Sequence, residues 1–225
     1  AENPFFNCYS IVDERCAAFF ALGMAQQLQV PVVVLCTSGS ALLNYYPALA
    51  EAYFSNIPLV VISADRPIYK LGIGDGQTIN QQNVFKNHIG YSANLKQDVS
   101  HATEKVLHYK PEWIIDENVS EVQQKIQSYN DVELNHAFEI AMNLNHPVHI
   151  NAPFEEPLYN TLTENIITPR IDAVKVGEVT QPNIEYHKNI WNIAVRKMIL
   201  VGVSTPGTVK DYILEHLAND PSVLV

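Results

Sequence analysis

An α/β fold is predicted here, with a doubly wound, mostly parallel sheet followed by the start of a second α/β domain. Three observations predict it. The runs Val32-Val33-Val34-Leu35-Cys36, Leu59-Val60-Val61-Ile62 and Met198-Ile199-Leu200-Val201-Gly202-Val203 are unbroken and aliphatic. Runs that do not alternate with polar residues suit parallel strands covered on both faces. Between the strands, apolar residues recur at i+3 and i+4, which gives each helix one stripe to lay on a sheet. Strand and helix therefore alternate along the chain, the pattern of a doubly wound sheet.

Element by element, a short β-rich run from Phe5 to Val12 leads into an Ala-rich helix ending near Leu28, with Ala17, Phe20, Ala21, Met24 and Leu28 on its apolar stripe. A single helix carrying Leu42, Tyr45, Tyr46, Leu49 and Tyr53 is expected between the next two strands. From Arg66 to about Asn118 the chain is rich in Gly, Asn, Gln and His and lacks clean periodicity. Such long irregular stretches inside a compact domain are usually functional. A helix over 132–144 and a strand Pro147-Val148-His149-Ile150-Asn151 close the first domain. The expected boundaries are a first domain at 1–165, a linker at 166–185 and the start of a second domain at 186–225. That second unit should hold a helix around 186–196, the strand at Met198, a helix over 206–217 and a final strand start.

Composition narrows the function. With 225 residues, 47% apolar and 17% charged, the chain can bury a core and is not disordered. Its net charge of −10, from 14 basic and 24 acidic side chains, argues against a nucleic-acid surface. No apolar run approaches the roughly 20 residues of a membrane span. No secretory leader opens the chain, so a cytoplasmic location is expected. Cys8, Cys16 and Cys36 show no metal-ligand spacing and read as buried free thiols. Asn118-Val119-Ser120 matches a glycosylation sequon by chance. The chain begins without Met and ends on an apolar run, which reads as a piece of a longer polypeptide.

Four segments carry candidate chemistry. Asp13-Glu14-Arg15 places a carboxylate where a strand hands over to a helix, a usable catalytic position; Asp13 is equally a plain N-cap. Thr37-Ser38-Gly39-Ser40 ends an apolar strand and opens a helix, where free backbone N–H groups favour polar ligands. A simple turn with a serine cap fits it as well. Arg66, in Asp65-Arg66-Pro67, is suited to bidentate carboxylate recognition, or to a salt bridge with Asp65 or another acid. Gly74-Asp75-Gly76 lacks the buried strand that would have to precede a metal motif and reads as a turn. The eight histidines form no ligand set, and His149 reads as a satisfied structural residue. No Gly-x-Ser-x-Gly elbow is present, which weakens hydrolase readings.

Taken in order, these segments resemble the pyrimidine-binding domain of thiamine diphosphate enzymes. The resemblance runs through Asp13-Glu14-Arg15, Thr37-Ser38-Gly39-Ser40-Ala41, Asn44-Tyr45-Tyr46-Pro47-Ala48 and the stretch from Pro58 to Pro67. It continues in Gly76-Gln77-Thr78-Ile79-Asn80-Gln81, Phe85-Lys86-Asn87-His88, the stretch from Pro147 to Phe154, and Glu156-Pro157-Leu158-Tyr159. It covers about residues 5–160 and is strongest toward the carboligases of menaquinone biosynthesis.

The resemblance implies that Glu14 hydrogen-bonds N1′ of the cofactor's aminopyrimidine and is catalytic, and that Ser40 lines the pyrimidine end of the pocket. It implies that Arg66 and Gln77 contact substrate, and that 2-oxoglutarate is decarboxylated and joined to isochorismate. It implies thiamine diphosphate and Mg²⁺ as cofactors, and a homo-oligomer, either a dimer or a dimer of dimers. No metal ligand is expected in this chain, because the family's diphosphate and metal site lies in a later domain. The chain alone is expected neither to bind the cofactor tightly nor to turn over. Two other readings stay open: another thiamine diphosphate decarboxylase or carboligase of the acetolactate synthase type, and a non-catalytic α/β ligand-binding module.

Overall fold

The computed structural model describes residues 4–114, 118–155, 169–172, 182–202, 204 and 207–225. The chain divides into two compact units, Ala1–Gly177 and Glu178–Val225. Glu156 to Tyr159 and most of the expected linker lie outside the described residues.

The first unit is built on four parallel strands: β1 (Val32–Cys36), β2 (Leu59–Asp65), β3 (Tyr91–Asn94) and β4 (Val148–Pro153), in the order β1-β2-β4-β3. Register aligns Val34 with Val61, and Ile62 and Ala93 with Ile150. Helices cover both faces. On one, α1 (Glu14–Leu28) and α3 (Tyr46–Phe54) bring Ala18, Ala25, Leu49 and Ala52 against Leu59 and Val61. On the other, α5 (Val119–Leu144) sets Ala137 and Ala141 against Val60, Val148 and Ile150. Each valine, leucine or isoleucine so buried contributes roughly 1.5–3 kcal/mol. The doubly wound parallel sheet read from the sequence is thus present.

Several local expectations are corrected. Phe5 to Val12 forms no strand; Phe5, Phe6, Tyr9 and Val12 are exposed. High β-propensity is realised only on a half-buried pleated surface, and no ladder takes up this run. Val33 and Leu35 of β1 are exposed, on the face where α5 packs against β3 and β4, so only β2 and β4 fit the expected burial on both faces. The buried stripe of α1 is Ala18, Ala21, Leu22 and Ala25, which turns Phe20 and Leu28 outward. Small side chains let this helix lie close to the sheet, and the bulky residues stay outside.

The single helix expected over Leu42 to Tyr53 is two, α2 (Ser40–Leu43) and α3. Pro47 has no N–H to give the carbonyl four residues back, so the chain breaks before it and restarts. The irregular stretch after Arg66 contains β3, whose Tyr-Ser-Ala-Asn sequence has no aliphatic run, and α4 (Thr103–Tyr109). It also has its own small core of Tyr69, Val99, Val106 and Ile114. α5 starts 13 residues before the expected helix at 132, on an Asn118 cap whose side chain accepts from the Glu121 N–H at 2.8 Å. The sequon asparagine is therefore a helix cap. Cys8 and Cys16 are exposed rather than buried, Cys36 is half-buried, and all three are free.

The second unit holds α6 (Ile184–Ile193), β5 (Lys197–Met198), α7 (Asp211–Ala218) and β6 (Val223–Leu224), with β5 and β6 paired in parallel. β5 is shorter than the apolar run at 198–203, and Leu200 is exposed. Among the described residues, no helix is long and apolar enough to cross a membrane.

Candidate cofactor and substrate site

The candidate residues lie around the carboxyl ends of β1 and β2. Only three residues join α1 to β1, so the N-terminus of α1 returns to the end of β1 where that strand stops. Asp13 is the N-cap: its carboxylate accepts from the Cys16 N–H at 2.8 Å, and that bond lowers the Asp13 pKa. Glu14 is the first helical residue, half-buried, where the helix dipole favours a negative charge. Capping thus falls to Asp13 and does not consume the neighbouring Glu14 carboxylate. Burial pushes the Cys36 thiol up to about 12, and the Glu14 charge adds to that rise. The Tyr45 hydroxyl is also raised, first by burial, with Cys36 and Glu14 contributing; it donates to the Leu35 carbonyl at 2.5 Å. The Glu14 carboxylate makes no hydrogen bond or ion pair among the described residues.

Beyond Cys36 the chain turns sharply through Gly39, at φ 86° and ψ −147°. This backbone region is essentially restricted to glycine. A Cβ here would lie 2.8 Å from the Gln77 carbonyl oxygen, so the turn and Gln77 are in direct contact. Gly39, not a serine, holds the cap position of α2, and no side chain caps that helix. Ser40 is exposed at the first helical residue. Gln77 is exposed too, with a left-handed backbone at φ 53°.

Arg66 follows β2 directly. Its backbone N–H donates to Asp65 Oδ1 at 2.8 Å, and its Nε and Nη2 reach the Gly76 carbonyl at 3.4 Å. Asp75 Oδ2 lies 4.0 Å from Nε. Gly74-Asp75-Gly76 is an exposed turn. Ser40, Gln77 and Arg66 are therefore brought together through the Gly39–Gln77 and Arg66–Gly76 contacts, whereas Glu14 stands beside Cys36 and Tyr45 at the end of β1.

Beneath these residues lies a buried polar network. Gln81 Oε1 accepts from the Gly39 N–H at 2.7 Å, while its Nε2 donates to the Ala64 carbonyl and to Asn151 Oδ1, both at 2.9 Å. Asn151 Nδ2 donates to Asp65 Oδ2 at 2.7 Å, and Ser63 Oγ donates to Asn151 Oδ1 at 2.9 Å. Burial raises the Asp65 pKa above the usual carboxylate value, against the lowering by these hydrogen bonds. His149 Nε2 lies 2.8 Å from Ser63 Oγ; with that hydroxyl committed to Asn151, the imidazole is the donor. Among the described residues His149 Nδ1 has no partner, so this histidine is half-satisfied where full satisfaction was expected, and burial pushes its pKa down to about 4. Polar residues inside aliphatic strand runs were the only available signal. A cavity of about 530 Å³ adjoins Arg66 and Asp65, walled by Asn94, Gln97, Trp113 and Tyr129.

The donor set suits one half of a thiamine-type cofactor. A half-buried carboxylate with open acceptor capacity, next to weakly polar Cys36 and Tyr45, fits a ring nitrogen that carries a proton. Among the described residues, no group of three or more His, Cys, Asp and Glu side chains could hold a metal ion.

Residues 1–91 match the family described as thiamine pyrophosphate enzyme, N-terminal TPP binding domain. Along 96% of its length the chain is 52% identical to a 2-succinyl-5-enolpyruvyl-6-hydroxy-3-cyclohexene-1-carboxylate synthase of Christiangramia forsetii. It is 49% identical over its full length to the synthase of the same name from Flavobacterium johnsoniae, and 38% identical over 97% to that of Desulfotalea psychrophila. It spans only 36–37% of the length of these three curated relatives. The parallel α/β sheet, the Glu14 helix start at its carboxyl end and these likenesses agree: the chain belongs to the thiamine pyrophosphate enzymes, residues 1–91 being their N-terminal TPP binding domain.

Proposed function

We propose that this chain is the pyrimidine-binding part of a thiamine diphosphate-dependent carboligase, a transferase of menaquinone biosynthesis. It decarboxylates 2-oxoglutarate and adds the resulting four-carbon unit to isochorismate. In this reading residues 186–225 begin a middle domain reached through a linker at 166–185, and the working enzyme is a cytoplasmic homo-oligomer. The names and identities of its relatives support the reaction, and the Glu14 carboxylate is the structural observation that carries it.

Bound cofactor supplies the electron sink that decarboxylation and carbon–carbon bond formation require. Glu14 holds a proton between its carboxylate and N1′ of the aminopyrimidine ring. Its half-buried place beside Cys36 and Tyr45 strengthens that bond. Ser40 offers its hydroxyl at the ring end, on a turn that Gly39 fixes. Arg66 takes a substrate carboxylate. Gln77 adds an amide next to it, its backbone held against Gly39. Mg²⁺ and the diphosphate are assigned to a domain outside this chain, so the chain alone holds cofactor weakly and is inactive.

Glu14→Gln in the full-length enzyme tests the reading. Turnover falls by about 10²- to 10⁴-fold, the range for loss of a positioned proton-transfer group. Unchanged turnover rules the assignment out. Arg66→Ala separates this substrate class from other thiamine diphosphate carboligases: activity with 2-oxoglutarate and isochorismate must be lost.

A further inference from the structure

We propose that Gln81 is a positioning residue of this site, its buried amide holding the Gly39–Ser40 turn and the Arg66 end of β2 in one register. The inference rests on the functional reading above. Gln81 is fully buried, and both ends of its amide are used. Oε1 accepts from the Gly39 N–H at 2.7 Å. Nε2 donates to the Ala64 carbonyl at 2.9 Å and to Asn151 Oδ1 at 2.9 Å, with Ser63 Oγ at 3.3 Å.

From there the bonds run on without a gap. Asn151 Nδ2 donates to Asp65 Oδ2, and Asp65 Oδ1 accepts the Arg66 N–H. One continuous chain therefore joins the turn after β1 to the turn after β2 through buried side chains. The stretch 76–81 is held at both ends. Gly76 and Gln77 meet Arg66 and Gly39, and the Gln81 side chain plugs in beneath them.

The requirement is specific: one acceptor toward Gly39 and two donors toward Ala64 and Asn151, at one depth. A methionine keeps the volume and loses all three bonds. A glutamate keeps the acceptor but faces two acceptor oxygens where it needs donors. An asparagine is too short by one methylene to span from Asn151 to Gly39. Ser40 and Gln77 then lose their common support, although Glu14, on a different element, keeps its place.

The test uses the full-length protein with Gln81→Met, and Gln81→Asn as the second variant should Met impair folding. Hydrogen exchange of the segment containing Gly39, equilibrium affinity for thiamine diphosphate with Mg²⁺, and KM against kcat for 2-oxoglutarate are measured well below the melting temperature. Expected are faster exchange at Gly39, cofactor affinity weakened about tenfold and a raised KM for 2-oxoglutarate, with kcat falling less than KM rises. A lower melting temperature with exchange at Gly39, affinity and KM unchanged makes Gln81 a stability residue only and overturns the proposal. Wild-type protein that does not bind thiamine diphosphate removes the functional reading and this proposal together. Wild-type binding with an equally tight variant removes this proposal alone.

Discussion

The ends of β1 and of β2 and β4 lie side by side in one sheet, yet they treat polar groups in opposite ways. At the end of β1, Glu14 is half-buried beside Cys36 and Tyr45, and its carboxylate accepts nothing among the described residues. At the ends of β2 and β4, Asp65, Gln81 and Asn151 are buried deeper, and the oxygens and amide nitrogens of these three side chains are bonded. A buried polar group without a partner costs free energy, so a satisfied network is what a scaffold looks like. An acceptor left open at a helix N-terminus is what a binding group looks like. The difference sets Glu14, the proposed catalytic carboxylate, apart from the side chains that hold its neighbours.

The contrast breaks most readily at Glu14. Glu14→Gln is expected to cut turnover at least 100-fold while leaving the urea midpoint nearly unchanged, because the carboxylate supports no fold contact. A large loss of stability instead would make it scaffold. On the scaffold side, His149 gives the next effect. Its folded pKa of about 4 lies below the unfolded 6.5. Below pH 6.5 the unfolded chain takes up a proton that the folded one refuses. Stability present above that pH is therefore lost as pH falls toward 4, by up to about 3 kcal/mol. Urea midpoints at pH 7, 5.5 and 4.5 should show this slope, and His149→Gln should flatten it.

Gly39 belongs to both regions, and Gly39→Ala forces a Cβ against the Gln77 carbonyl in a glycine-only conformation. About 1–3 kcal/mol of stability should be lost, together with cofactor affinity. The smallest effect is a control at the far end of α1. Gln29 caps that helix with a left-handed backbone, φ 56°. Gln29→Gly should stabilise the protein by about 0.5–1 kcal/mol, since glycine removes the left-handed strain but gains unfolded-state entropy. Turnover should not move; if it does, stability and chemistry are not separable in the way the contrast requires.

The aliphatic strands β1, β2 and β4, the helix that begins after Asp13 and the glycine turn before Ser40 were all legible in the linear chain. Each is governed by near neighbours: a run of β-branched residues, a capping carboxylate, a residue without a Cβ. Glu14 and Arg66 could be singled out for the same reason, as side chains at the punctuation between elements, whereas Ser40 and Gln77 were named by the resemblance to thiamine diphosphate enzymes. β3 was not legible, because Tyr-Ser-Ala-Asn becomes a strand only when β4 offers it hydrogen bonds. Nor was the outward turn of Phe20, which depends on how closely α1 approaches the sheet.

Least visible of all was Gln81, a glutamine among asparagines and glutamines until folding brings Gly39, 42 residues earlier, and Asn151, 70 residues later, to its two ends. Local stereochemistry determines where strands, caps and turns begin, because its forces act over a few residues. Which polar atoms are left open for chemistry and which are consumed in support is decided by contacts between distant segments, and those exist only once the sheet has closed.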